Sequence, residues 1–207
     1  MIESGTIEGA IMTDNSTVWY ASYGSNICEG RFLCYILGGK WKWGGSCSQG
    51  CSEKSPPTDS KPMTIKHELY FAKKSTAWEG GGVAFIKKKK EHDTSKYTYG
   101  RMWRITREQF DCVKKQEGPA WYGKDIKLGK EGNEPIYTFT NPITLRSSAK
   151  PSIGYLKTIS LGLKETYDMC DEQIVKYLAS KFGVKENFKE ETLLDMLQSL
   201  NSDLRTE

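Results

Sequence analysis

The residues most able to do chemistry lie in two short stretches far apart in the chain. Tyr23-Gly24-Ser25-Asn26 joins an apolar, β-prone run, Val18-Trp19-Tyr20-Ala21, to the stretch Cys28 to Leu37, which is apolar, partly amphipathic and reads as a helix. At such a junction backbone N–H groups gather at a helix N-terminus, where the dipole favours negative charge. Gly24 is expected to supply the tight turn and a positive φ. The loop can therefore hold a carboxylate or a developing oxyanion; an ordinary strand-to-helix turn capped by Ser25 or Asn26 has the same composition. Glu117 ends a predicted helix and precedes Gly118. A carboxylate there faces the negative end of the dipole, which raises its pKa and suits a base that must also return a proton; a plain solvated Glu fits the position as well. In Trp78-Glu79-Gly80-Gly81-Gly82 the glycines, Gly81 among them, permit close approach by a ligand or a neighbouring strand. Tyr122 and Tyr155 read as pocket hydroxyls or as half-buried core.

The elements that must position these residues follow from periodicity and punctuation. Gly38-Gly39 ends the first helix, and Lys40 to Pro62, with its Gly and Pro residues, reads as a long loop, a functional flap or an insertion. Three β-like runs follow, Ile65 to Ala72, Gly82 to Lys87 and Tyr97 to Ile105. Thr106-x-x-Gln109 is a capping box that opens the helix ending at Glu117. Asp125 to Leu128 and Pro135 to Phe139 are two further strands. Three helices come last: one from Pro151 to about Glu165, one capped by Asp171 and stopped at Gly183, and one from Glu190 to Leu200. Strands with one embedded helix, then helices, is an α+β order with a mostly antiparallel sheet or small barrel. It is not the alternating order of a nucleotide-binding sheet, and Gly80-Gly81-Gly82 lacks the Lys-Ser/Thr of a phosphate loop.

Composition narrows the partners. With 207 residues, a net charge of +4, 37% hydrophobic and 27% charged residues, the chain reads as one soluble domain with no demand for nucleic acid. Lys87 to Lys90 reads as a solvated turn between strands. No run approaches the roughly 20 apolar residues of a membrane span. Met1 to Ser16 is polar, carries Glu3 and Glu8, and has the wrong charge for a secretory signal. Residues 1–16 are expected to be a flexible leader, with Met12 an alternative start, ahead of a domain over 17–207. The address is cytoplasmic by default, and the six cysteines are expected to be reduced. Cys47 and Cys51 form a C-x-x-x-C without a second pair, and His67 and His92 are not spaced as a ligand pair, so neither a metal nor another cofactor is expected.

These residues, taken together, resemble a family. Trp19-Tyr20-Ala21-Ser22-Tyr23-Gly24-Ser25-Asn26-Ile27 is similar to the signature loop of the γ-glutamylcyclotransferase (AIG2-like) family. The Trp78–Gly82 stretch, the strand and helix from Gly100 to Gln116, Glu117-Gly118 with Tyr122 after it, and Pro151-Ser152-Ile153-Gly154-Tyr155 through Glu165 follow in the family's order. The resemblance runs from about Val18 to Glu165. Ile27 stands where Leu is usual, one extra Gly follows Trp78, and the Lys40–Pro62 loop is longer than in compact members. The resemblance implies a small, twisted, mixed β-barrel-like sheet with flanking helices. It implies a small-molecule γ-glutamyl amide as substrate, Glu117 as general base and acid, and Tyr23, Gly24, Ser25, Asn26, Gly81, Tyr122 and Tyr155 as substrate-binding residues. The product would be 5-oxoproline plus an amine, without cofactor, and a homodimer is left open. A related transferase or lyase acting on a specialised metabolite, and a non-catalytic ligand-binding member, are the rival readings.

Overall fold

The computed structural model describes residues 16–46 and 48–205. The leader expected over 1–16 falls almost wholly outside them, as does Cys47. The chain forms β1 (Thr17–Ser22), α1 (Glu29–Leu37), β2 (Asp59–Ile65), β3 (Leu69–Ser75), β4 (Gly81–Ile86), β5 (Thr98–Thr106), α2 (Arg107–Glu117) and α3 (Pro119–Tyr122). It continues with β6 (Lys124–Glu131), β7 (Glu134–Thr140), α4 (Ile153–Tyr167), α5 (Asp171–Ala179) and α6 (Glu190–Arg205). Among the described residues no helix is long and apolar enough to cross a membrane.

A five-stranded mixed sheet has the order β2-β5-β1-β7-β6, and β3 with β4 forms a separate hairpin. β1 lies at the centre, antiparallel to β5 and parallel to β7. Its side chains alternate between two cores: Trp19 and Ala21 join the β3–β4 hairpin and α4–α6, while Val18 and Tyr20 join Phe32 of α1 and Phe110 of α2. A strand buried on both faces reads as a continuous apolar run, as Val18 to Ala21 does. The hairpin is stitched to the sheet by one side chain: the buried Thr140 hydroxyl of β7 donates to Ile86 O at 2.8 Å and lies 3.3 Å from Ile86 N. The barrel-like closure thus rests on side chains where the backbone ladder is interrupted.

Four expectations about element boundaries change. The run Ile65 to Ala72 is two strands, broken where the buried His67 donates its backbone N–H to Ile65 O at 2.8 Å and brings Nδ1 within 2.7 Å of Lys87 O. Asp59 to Pro62, expected as loop, pairs with β5. β2 is an edge strand, so it tolerates Pro62 and needs no apolar alternation, which hid it from periodicity. The helix near Pro151 begins at Ile153, with the Ser152 side chain accepting from Tyr155 N, and Cys170 rather than Asp171 is the cap of α5. The Thr106/Gln109 capping box is formed in both directions, each bond 3.1 Å. Gly118 closes α2 at φ 81°, in the left-handed region that favours glycine.

Candidate active site

The loop after β1 is held from below. Tyr23 donates its hydroxyl to Phe139 O at 2.7 Å, and Trp103 Nε1 donates to Asn26 O at 2.9 Å. Ser25–Ile27 winds into a 3-10 turn with Ile27 N donating to Gly24 O at 3.1 Å. Gly24 itself sits at φ −108°, so the expected positive φ is not what selects glycine there. Space selects it: a Cβ would stand 2.8 Å from Tyr155 Oη and 3.3 Å from Ala84 Cβ. Tyr155 and Tyr122 in turn bracket one residue of β4. Ala84 N donates to Tyr155 Oη at 3.1 Å, and Tyr122 donates its hydroxyl to Ala84 O at 2.9 Å. Both hydroxyls therefore brace the wall of the site while their rings line it. Gly81 does not line the cavity; a Cβ there would lie 2.5 Å from Ser152 N, so it serves the close packing of β4 on the start of α4.

Glu117, the last residue of α2, is brought to this loop from the opposite side. Asn26 Nδ2 donates to Glu117 Oε1 at 2.9 Å. Glu117 is held above the usual carboxylate range, chiefly by burial; hydrogen bonding from Tyr35, the Arg31 charge and the Asn26 bond pull the other way. The direction matches the expectation, but desolvation is its leading cause where the sequence argument invoked the helix dipole. Around it the Tyr20, Tyr23, Tyr35 and Tyr122 hydroxyls are raised well above their ordinary value, burial being the largest cause for each, and stay neutral. A single carboxyl with a raised pKa, ringed by neutral hydroxyls, can take a proton and give it back.

These groups face a cavity of about 930 Å³. The segment after α1 forms one wall, with Ser46, Ser48, Gln49, Gly50 and Ser52 lining it beside Trp78. It is fastened by Gly45 N donating to Ala77 O at 2.7 Å and by Trp41 Nε1 donating to Thr158 Oγ1 at 2.8 Å. It is fastened also by a disulfide from Cys51 to Cys112 of α2, Cα to Cα 5.9 Å. This pairing corrects the expectation of reduced thiols. The two cysteines are 61 residues apart, and only the packing of the loop on α2 brings them into range. Cys28, next to the signature loop, is an inert thiol, pushed up to about 12 by burial. No cluster of three or more His, Cys, Asp or Glu suited to a metal ion occurs among the described residues.

Arg31 and Tyr35 were not singled out from the sequence. Arg31 is 3% exposed, lines the cavity, and stacks its guanidinium 4.5 Å from the Tyr35 ring. The available signal was an arginine beside Phe32 and four residues before Tyr35, on the apolar face of α1.

No family model matches the chain. A solved γ-glutamyl cyclotransferase superposes with a TM-score of 0.55 at 20% identity, covering 89% of this chain and 99% of that one. An uncharacterized protein from Homo sapiens superposes with a TM-score of 0.56 at 19% identity, covering 86% and 98%. By sequence, the chain is 31% identical over 200 residues to Histone deacetylase 5 of Arabidopsis thaliana, an alignment covering 78% of this chain. The chain spans only 30% of the length of that relative, to whose whole length the name refers. The two superpositions cover most of the chain, and so the protein adopts the fold of the γ-glutamyl cyclotransferases.

Proposed function

We propose that this protein is a cyclotransferase that converts a γ-glutamyl amide, a γ-glutamyl amino acid or γ-glutamylamine, into 5-oxoproline and a free amine. The observation that carries the reading is the 2.9 Å contact of Asn26 with Glu117, which joins the signature loop to a half-buried carboxyl of raised pKa at the cavity wall. The substrate's own α-amine attacks its γ-carbonyl carbon. The new C–N bond closes a five-membered lactam, and the original amide C–N bond breaks. The nucleophile is tethered, so the entropic barrier is small once the chain is folded in the cavity. Glu117 relays the two protons the α-ammonium sheds, one as it becomes the nucleophilic amine and one as the lactam nitrogen forms, to the departing amine, which leaves as its ammonium, so no net proton is consumed. Backbone N–H groups of the Gly24-Ser25-Asn26 loop stabilise the oxyanion, each well-aimed donor contributing about 3 kcal/mol, the Ser25 N–H being shared with the Tyr155 hydroxyl. Tyr122 and Tyr155 hold the wall against which the substrate lies.

The test is one γ-glutamyl amide supplied with and without an N-acetyl cap. The free compound is expected to yield 5-oxoproline and amine in equal amounts, and the capped one to be inert, because an acylated nitrogen is a poor nucleophile. Amine release from the capped compound at a similar rate would mean hydrolysis by water and end the cyclotransferase reading.

A further inference from the structure

Two side chains at the wall of the cavity carry buried polar atoms that find no partner within the fold. Arg31 Nη2 donates to Tyr35 Oη at 3.1 Å, but its Nε and Nη1 have no hydrogen-bond partner. Asn26 gives its Nδ2 to Glu117 and leaves Oδ1 without one. Buried polar groups are nearly always satisfied, and a guanidinium is expensive to bury without a full complement of acceptors. Two of the three Arg31 nitrogens thus lack an acceptor while the face of the guanidinium is fixed, with the Tyr35 ring at 4.5 Å and the Trp78 ring at 5.7 Å. Gly45 of the flap lies over it, where a Cβ would come 3.1 Å from Arg31 Cζ.

We infer that Arg31 is the anchor for the α-carboxylate of the substrate's glutamyl head. This rests on the cyclotransferase reading of the same site. The planar fork of arginine matches a carboxylate in a bidentate pair. Arg31 and Glu117 meet at the Tyr35 hydroxyl, which accepts from Arg31 Nη2 at 3.1 Å and is hydrogen-bonded to the Glu117 carboxyl. The two charges therefore span one α-amino acid, whose ammonium and carboxylate share a single carbon: ammonium to Glu117 and Asn26 Oδ1, carboxylate to Arg31. The other cations lining the cavity, Lys74 and Lys115, are exposed, whereas Arg31 is buried. With the carboxylate on Arg31, the backbone donors of the signature loop are left for the oxyanion.

The experiment compares γ-glutamylalanine with the same compound bearing a primary amide at the α-carboxylate of the glutamyl head. The folded protein is expected to prefer the acid about 100-fold in kcat/KM, the size of a lost buried charge pair. Arg31→Met and Arg31→Gln are expected to flatten that preference to within about threefold, mainly through KM. Their thermal midpoints should hold or rise, since an under-satisfied buried cation is removed. Calorimetric binding of 5-oxoproline, with 5-oxoproline amide as control, should show the same loss in both variants. Retained preference in the variants, or a fall in thermal midpoint with binding intact, would overturn the assignment and leave Arg31 a structural residue. If the unmodified protein forms no 5-oxoproline, the cyclotransferase reading fails by itself. The calorimetric comparison then decides the carboxylate anchor: acid-selective binding lost with Arg31 sustains it, and binding that ignores the variants ends it.

Discussion

Asn26 Nδ2 and Glu117 Oε1 meet at 2.9 Å across 91 residues of sequence, so the signature loop and the end of α2 share one hydrogen bond. That bond favours the ionised carboxyl, opposing the burial that raises its pKa. Asn26→Leu removes the donor. The carboxyl's pKa should move further up, and turnover near neutral pH should fall about tenfold, the scale of one hydrogen bond to a charged group. Steady-state rates across pH, compared with the unmodified protein, check both parts.

Glu117→Gln keeps the shape and removes the basicity. Turnover should fall by roughly 10²–10⁴, the range for a positioned acid–base group, while binding of 5-oxoproline persists. Near-normal turnover in a folded variant would remove Glu117 from the chemistry.

The same carboxyl sets two pH dependences of opposite sense. Activity requires the ionised form, so kcat/KM should rise with pH through an inflection above the ordinary carboxylate value. Stability runs the other way. A folded pKa above the unfolded one means the contribution of Glu117 is fully present below the unfolded pKa and is lost as pH rises through the folded pKa. Glu117→Gln should therefore gain stability relative to the unmodified protein at neutral pH and lose that advantage in acid. Thermal melts at several pH values read this directly.

Gly24 and Tyr155 should be energetically coupled, because a Cβ at 24 meets Tyr155 Oη at 2.8 Å. Gly24→Ala alone strains the pair. Tyr155→Phe alone leaves the buried Ala84 N–H without its acceptor. The double variant relieves the strain and should be more stable than additivity allows, by about 1 kcal/mol. A strictly additive cycle from denaturant unfolding would show that the loop moves aside instead.

Reduction of Cys51–Cys112 should loosen the flap from α2. The pair encloses 61 residues, a loop whose closure contributes about 4 kcal/mol in the chain-entropy account, with 2–4 kcal/mol typical of measurement. Cys51→Ala with Cys112→Ala should lower stability by roughly that amount and raise KM more than it lowers kcat. Melting with and without reductant is the first check.

Much of this was legible in the chain. The apolar, β-prone run of Val18 to Ala21 marked a strand, and the Thr106/Gln109 box and Gly118 set the two ends of α2, because caps and apolar runs are local properties. The loop Tyr23–Asn26 and Glu117 were joined by the family resemblance, since each by itself also fits an ordinary turn and a solvated Glu. What the sequence could not hold was distance. β2 stayed hidden because an edge strand needs no apolar alternation. The glycine at 24 is required by the Tyr155 hydroxyl, not by its own φ, and Gly81 serves the start of α4 instead of the cavity. The raised pKa of Glu117 comes chiefly from burial by residues distant in sequence, which no local dipole argument reaches. Arg31 read as one charged residue on an apolar helix face. Only the fold shows that two of its donor nitrogens are buried and unpaired, since satisfaction of a polar group is decided by neighbours brought in from elsewhere in the chain.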